Sequence, residues 1–532
     1  MKGVFFFFLI LVLPLAEGCT RIDPVAVNRS FCRALPAAED SPLVGLVPSA
    51  AAAPEPLSGG RLISSGLEAF AARIALADNA VQSLDIQYYI FREEDLTGLL
   101  LLQQLLTAAD RGVRVRLLLD DLHFRDDAGL LANLTGHPSI ELRIFNPFLY
   151  RHSLGPGRLW EVFSDFRRLH RRMHNKLFVA DNLAALVGGR NIGDEYFEAN
   201  ELLDLEDLDV LLAGPVVPEL SNHFDRFWNS LWALPMSALR GSAGSPENLA
   251  AARIHLAEQI ATPRAREFRQ RVDDLALGQA FQNRAGPPMS PAATQVIADP
   301  PCKLIPDQCP DTLPEFSRFD HLLDQAEREL LIITPYFIPG RKGVKHFRQL
   351  AKRGLRIRAL TNSFAATDHK IVHAAYQRYR RPLLKQGVEL YEFKPSPQYR
   401  RGRTRRRTTE ERVLLGSSQA CLHTKAYVID ERMIFIGSFN HDPRSMHYNS
   451  EIGVLLESPD LTRDLLEHFH KLSQPENAFQ LQLEKRPQGS VGLLWKDGKA
   501  ARSKYWRTEP QTFWWDRFGN HLLAWLIPES LL

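Results

Sequence analysis

His174, Lys176, Asp181, Gly188-Gly189 and Asn191 recur at the same intervals as His423, Lys425, Asp430, Gly437-Ser438 and Asn440. In each copy Lys follows His by two residues, Asp follows Lys by five, and Gly and Asn follow Asp by seven and ten. A single His-x-Lys-x4-Asp arises by chance in roughly one chain in a few tens at ordinary residue frequencies. Two copies that also agree downstream do not. Phosphodiester chemistry without a metal needs this set twice, with two imidazoles and two ammonium groups around one phosphorus.

The roles divide by residue type. One His attacks phosphorus; the other, with a reference pKa of about 6.5, protonates the leaving oxygen and then deprotonates the incoming alcohol or water. Lys176, Lys425, Asn191 and Asn440 suit the non-bridging oxygens and the charge that develops on them. Each His needs an acceptor to fix its tautomer. Asp209, in Asp207-Leu-Asp209-Val-Leu-Leu, and Glu451, in Asn449-Ser-Glu451-Ile-Gly, are the candidates. Asp181 and Asp430 belong to the catalytic set by spacing, but as turn residues they are expected to orient and support. There is no His-Glu-x-x-His and no carboxylate cluster, so neither metal nor cofactor is expected.

Local elements must present this set. Residues 176–180 and 425–429 read as strands, on which His174 and Lys176 share a face, as do His423 and Lys425. Asp181-Asn182 and Asp430-Glu431 read as two-residue hairpin turns, which would place Gly189 opposite His174 and Ser438 opposite His423. The small residues there would leave room for a ligand. Earlier in each half comes a strand-helix-strand unit: strands at 84–90 and 113–119 around a helix at 96–111, then strands at 330–336 and 354–360 around a helix at 343–353. Such a unit implies parallel pairing. The tract starting at Arg111 matches that starting at Arg353, and they precede His174 and His423 by 63 and 70 residues. The chain is therefore read as an internal duplication.

Composition adds bounds. The chain has 532 residues, 45% hydrophobic and 24% charged, with a net charge of +3, which is ordinary for a globular protein of two or more domains. Five cysteines exclude a disulfide scaffold. Cys302 and Cys309 are a candidate pair, and Cys421 reads as buried. The apolar run from Val4 to Ala16 after Lys2 reads as a signal segment too short to span a bilayer. Ala16-Glu-Gly-Cys19 resembles a lipoprotein cleavage box that would put lipid on Cys19. Both features point to the bacterial cell envelope, membrane-associated and facing the periplasm or exterior.

The two motifs, with Leu84–Ile90, Arg111–Asp121, Ile144–Phe148, Gly188–Phe197, Leu360–Asp368, Gly387–Pro395 and Gly437–Ser445, resemble the phospholipase D superfamily, in particular bacterial cardiolipin synthases of the C type. The resemblance implies an α/β fold of two similar phospholipase D-like domains. Each would be a mixed sheet flanked by helices, with the active site at their interface. It also implies transfer of a phosphatidyl group to phosphatidylglycerol through a phosphohistidine, with the N-terminal His as the favoured nucleophile. The expected layout is a signal peptide at 1–18, a flexible tether at 19–60, a first domain at 61–236, a helical and Pro-rich insertion at 237–315 on the outside, a second domain at 316–475 and a tail at 476–532. Residues 513–527 read as a helix in a membrane interface. Arg167-Arg168, Arg171-Arg172 and the run 400–407 would attract phosphate groups. Expected partners are phospholipids and a membrane, not nucleic acid; oligomeric state is not legible. A hydrolytic phospholipase D and a nuclease are the enzyme alternatives, and a membrane-binding scaffold the non-enzyme one.

Overall fold

The computed structural model describes residues 21–48, 56–124, 129–150, 156–200, 202–240, 244–283, 286–305, 315–395, 420–498 and 503–526. Cys19, the signal segment, Cys309 and the Arg400–Arg407 run lie outside them. Across the first sheet the strands are Ser58–Ile63, Asp209–Ala213, Ala184–Gly188, Leu177–Ala180, Ser83–Tyr88, Arg114–Asp120, Ile140–Phe145 and Ala233–Pro235. The second repeats the order as Ser290–Ala298, Ile452–Glu457, Met433–Gly437, Ala426–Ile429, Glu329–Ile333, Arg356–Asn362, Glu389–Phe393 and Ala478–Lys485. In both, two parallel pairings sit between antiparallel ones, so each half is the mixed α/β sheet that the duplication implied.

The repeated tract shows why sequence repeats become structural ones. Helices Leu96–Asp110 and Gly340–Lys352 are each followed by a glycine in the left-handed region, Gly112 at φ +94 and Gly354 at φ +92. A side chain there would be strained, so glycine ends the helix and aims the next strand. On those strands Arg116 and Arg358 are buried and paired with Asp85 at 2.6 Å and Glu329 at 2.8 Å on the neighbouring strand. A buried arginine needs such a partner, since an unpaired charge there is costly.

The halves share one core. Leu177, Val179 and Val187 of the first sheet and Ala426, Val428 and Ile436 of the second belong to a single apolar cluster with helices Val217–Trp228 and Pro459–Ser473. Each fully buried Leu, Val or Phe contributes about 1.5–3 kcal/mol, so the halves fold against each other rather than as beads on a string. One further cluster lies under the outer helices of each half.

Three expectations about the connecting segments are corrected. The stretch read as a flexible tether packs on the first half where it is described: Ala34 N donates to Asp225 at 2.7 Å, Cys32 N to Asn229 at 3.0 Å, and Leu43 and Leu46 are buried. Its apolar residues, masked by Pro and Ala, find a surface to cover. The insertion is not all external, because its strand Ser290–Ala298 pairs with Ser58–Gly60 and with Ile452–Glu457, joining the two sheets. Its helices Pro246–Ile260, Pro263–Asp273 and Ala276–Gln282 do pack outside the first half. Likewise the tail begins as sheet, with Ala478–Lys485 paired to Val491–Asp497, before helix Trp514–Leu526.

Candidate active site

Two short parallel pairings carry the site. Arg172–Met173 runs beside Asn449–Ser450, and Asp204–Glu206 beside Ala420–Leu422. Each joins the segment leading into a His of one half to an acidic segment of the other. His174 N donates to Ser450 O at 3.0 Å and His423 N to Glu206 O at 2.7 Å. The next residue on each opposing strand is then the acid that meets the ring. His174 Nδ1 lies 2.8 Å from Glu451 Oε2, and His423 Nδ1 lies 2.6 Å from Asp207 Oδ2. Both motif histidines thus meet their carboxylate across the halves.

Asp209 is therefore not the partner of His423. It is turned away, buried against Arg73 at 2.9 Å and Arg190 at 3.5 Å. The pairings Gly188↔Asp209 and Gly437↔Gly453 make Asp207 the equivalent of Glu451. The sequence held this signal: superposing Val210-Leu-Leu on Val454-Leu-Leu sets Asp207 over Glu451. Space explains the Gly and Ser of the motif. A Cβ on Gly189 would lie 2.2 Å from Asp207 Oδ1, whereas the Ser438 hydroxyl donates to Glu451 Oε2. The room expected for a ligand is occupied by the carboxylates.

The hairpins differ from expectation by one residue. Ala180 pairs with Ala184 and Ile429 with Met433, so three residues turn, not two, and Gly189 and Ser438 do not lie directly opposite the histidines. Asp181, Asn182, Asp430 and Glu431 all have φ between +53 and +55, a region that Asp and Asn tolerate. Asp181 accepts from Val81, Gln82 and Ser83 N at 2.8–2.9 Å. Asp430 does the same for Glu327, Arg328 and Glu329 N, its closest contact 2.7 Å. At the far end of its strand from the His, each clamps the start of the neighbouring strand.

Lys176 Nζ donates to His174 O at 2.6 Å, and Lys425 Nζ to His423 O. Both ammonium groups are buried beside the rings. Asn440 Oδ1 is buried with no hydrogen-bond partner among the described residues, an acceptor that a donor such as a substrate hydroxyl could meet. Asn191 is committed within the protein: Oδ1 accepts from Ile90 N at 3.1 Å and Nδ2 donates to Tyr196 at 2.9 Å. The residues within the motif fasten the halves, since Asn175 accepts from Ser450 at 2.7 Å and Thr424 donates to Glu206 O at 3.1 Å.

Several contributors were not singled out from the sequence. Tyr89 meets the His174 ring edge-on at 5.0 Å, and Tyr196 meets His423 at 5.4 Å. Asp120 and Asn362, at the ends of the repeated strands, are equivalent supports: Asp120 accepts from Met173 N at 3.0 Å, and Asn362 exchanges two 2.8 Å bonds with Leu422. The chance to find them lay in the tract match already noted, which aligns Asp120 with Asn362. Arg171 and Arg172 are engaged in the protein, with Lys303 O at 3.2 Å and Asn146 O at 3.2 Å.

Electrostatics distinguishes the dyads. Burial, then Lys176, Lys425 and His423, hold His174 well below the ordinary imidazole range. Burial and Lys425 also lower His423, with Asp207 opposing them. Burial lowers both lysines, Lys176 strongly. Burial pushes Glu451 up to about 7, against Lys176 and its two serine hydroxyls. For Asp207 burial is outweighed by His423 and Lys425, so it stays ionised. That His423 and Lys425 act on His174, and Glu451 on both lysines, marks one shared site. Among the described residues no three His, Cys, Asp or Glu side chains are grouped to hold a metal.

Comparison with known proteins finds the same duplication in the family model. The family described as "Cardiolipin synthase, PLD-like domain" matches residues 74–228 and again 319–473. Cardiolipin synthase C of Escherichia coli (strain K12) is 39% identical over 472 residues, covering 88% of this chain and 95% of that protein. A cardiolipin synthase of Geobacillus kaustophilus (strain HTA426) is 25% identical over 77% of this chain and 66% of its own length. Among solved structures, phosphatidylserine synthase of Haemophilus influenzae Rd KW20 superposes with a TM-score of 0.49 at 14% identity, over 79% of this chain and 86% of that one. The chain belongs to the phospholipase D superfamily, in its cardiolipin synthase family, and is a phosphatidyltransferase of that kind.

Proposed function

We propose that this enzyme makes cardiolipin, moving a phosphatidyl group to a hydroxyl of phosphatidylglycerol through a phosphohistidine. The observation that carries the mechanism is the unequal pair of crossed dyads. Glu451 holds Nδ1 of a His174 kept neutral, which leaves Nε2 free to attack phosphorus. Asp207 stays ionised beside His423, which suits that ring to carry a proton. In the first step an Nε2–P bond forms, the P–O bond to the leaving alcohol breaks, and His423 protonates the departing oxygen. In the second the acceptor hydroxyl gives its proton to His423, its oxygen bonds phosphorus, and the N–P bond breaks. Lys176 and Lys425 neutralise the non-bridging oxygens as charge builds, and the Asn440 amide N–H donates to one of them. The acceptor is carried over from the likeness to Cardiolipin synthase C.

A membrane supplies both lipids. Phe513, just before the terminal helix, and Trp514, Trp515 and Phe518 on it are 54–67% exposed, and Asn520 of the helix is buried against Gln377 at 3.3 Å. This apolar row with interspersed Asp516 and Arg517 fits the headgroup layer. Among the described residues no helix is long and apolar enough to cross a membrane. Lipidation at Cys19 and residence in the cell envelope complete the proposal. Purified protein in mixed micelles with labelled phosphatidylglycerol tests it. Labelled cardiolipin is the expected product; phosphatidic acid alone, or cleavage of DNA but not lipid, overturns it.

A further inference from the structure

The two acids are held from behind by different devices. Asp207 O accepts from Arg190 Nη2 at 2.5 Å, and Asp207 Oδ1 accepts from Leu208 N at 2.8 Å. Arg190 precedes Asn191, and the residue that precedes Asn440 is Phe439, buried and apolar. Glu451 therefore has no counterpart of the Arg190 grip in its own hairpin. The segment between the halves supplies one. Where strand Ser290–Ala298 ends, Asp299 N donates to Glu451 O at 2.9 Å, and Glu451 N donates to Asp299 Oδ2 at 3.1 Å. Lys303 Nζ then bridges Asp299 Oδ2 at 2.7 Å and Ser445 O at 2.8 Å. Ser445 Oγ closes the ring by donating to Glu451 Oε1 at 2.8 Å. Asp299 is 2% exposed, and its Oδ1 has no hydrogen-bond partner among the described residues.

We infer that Asp299 and Lys303 are positioning residues for the nucleophilic dyad, which makes the linker between the halves a working part of the active site. They touch neither substrate nor His174. They fix the backbone of Glu451 and, through Ser445, its carboxylate, so that Oε2 meets Nδ1 and Nε2 faces the phosphorus. Ser438 holds only Oε2; without the Ser445 bond to Oε1 the carboxylate could turn, and a misaimed nucleophile loses rate without losing substrate. The inference rests on the dyad role proposed above. It also gives a role to the acid and the lysine, four residues apart, that follow strand Ser290–Ala298 in a segment that reads as a spacer.

Charge gives a readout that simple support would not move. Around Glu451 stand Lys176, Lys425 and Lys303, with Asp299, Asp442 and the His174 ring. Lys303 favours the ionised Glu451, and Asp299 opposes it. Removing each charge should shift the dyad's titration in opposite directions. The experiment compares Asp299→Asn and Lys303→Met with the parent enzyme in phosphatidylglycerol micelles. Total turnover is counted as cardiolipin plus phosphatidic acid, and folded fraction is read by thermal unfolding. A parent that hydrolyses instead of transferring refutes the proposed acceptor and leaves this test intact. The expected result is kcat per folded enzyme lower on the order of tenfold or more, as for other outer supports, with KM within about twofold. The acid limb of kcat should move to lower pH in Asp299→Asn and to higher pH in Lys303→Met. Parental kcat in both folded variants, an acid limb unmoved in both, or loss of cooperative unfolding in both would overturn the inference.

Discussion

Replacing Asp207 with Asn probes the crossed geometry most sharply. The substitution keeps the volume and a polar group 2.6 Å from His423 Nδ1, but it removes the charge. The Asn amide would donate to Nδ1, leaving a neutral ring with its proton on Nε2 and nothing to stabilise an imidazolium. An imidazolium and a carboxylate about 4 Å apart at an effective dielectric of about 20 attract by about 4 kcal/mol. Losing that when His423 carries the proton costs about a thousandfold in kcat. Lipid contacts are untouched, so KM should hold. The assay is initial rate of cardiolipin formation over a range of phosphatidylglycerol in mixed micelles, normalised to folded protein. Asp209→Asn is the control: Asp209 bonds Arg73 and Arg190 instead, so it should lower the unfolding midpoint and leave kcat per folded enzyme within about tenfold. A folded Asp207→Asn enzyme with parental kcat, beside a folded but inactive Asp209→Asn, would refute the assignment.

Further outcomes follow from the other contacts. Asp181→Asn loses charge on an acceptor of three backbone N–H groups and should destabilise by about 1–3 kcal/mol in urea unfolding, with kcat per folded enzyme nearly parental; a stable but inactive variant would contradict the clamp. Activity should fall as pH drops through about 7, because Glu451 is pushed up to that value by burial and, once protonated, it donates to Nδ1 and moves the His174 proton to Nε2. Ser438→Ala removes a donor to the ionised form, so its acid limb should lie at higher pH, and an unmoved limb would sink that reading. Changing Trp514, Trp515 and Phe518 together to Ser should weaken binding to phosphatidylglycerol vesicles in sedimentation while turnover of a short-chain monomeric lipid persists; undiminished vesicle binding would contradict an interfacial helix.

Periodicity and repetition made much of this molecule legible. The strand-helix-strand units, their parallel pairing and the paired His-x-Lys strands are local features, set by alternation and by glycines such as Gly112 and Gly354. Glu451 was visible because it precedes a strand in the motif's own neighbourhood. Asp207 was missed in favour of Asp209, because two acids two residues apart read as one strand face and only the hairpin register separates them. The three-residue turns escaped for a related reason: Asp181 is fixed by three N–H groups of a segment about a hundred residues away, which no local pattern records. Strand Ser290–Ala298 hid behind proline and alanine, its role apparent only when both sheets exist to be joined. What pairs across the halves is a property of packing, and packing is non-local.

One phosphorus-sized site served by both halves is the central claim. Rapid quench into base with phosphate-labelled phosphatidylglycerol, followed by peptide mass spectrometry, counts and places the covalent intermediate. Label is expected on His174 alone, at no more than one per chain, with turnover abolished in both His174→Ala and His423→Ala. Label on both histidines at once, or robust turnover by either variant, would contradict it.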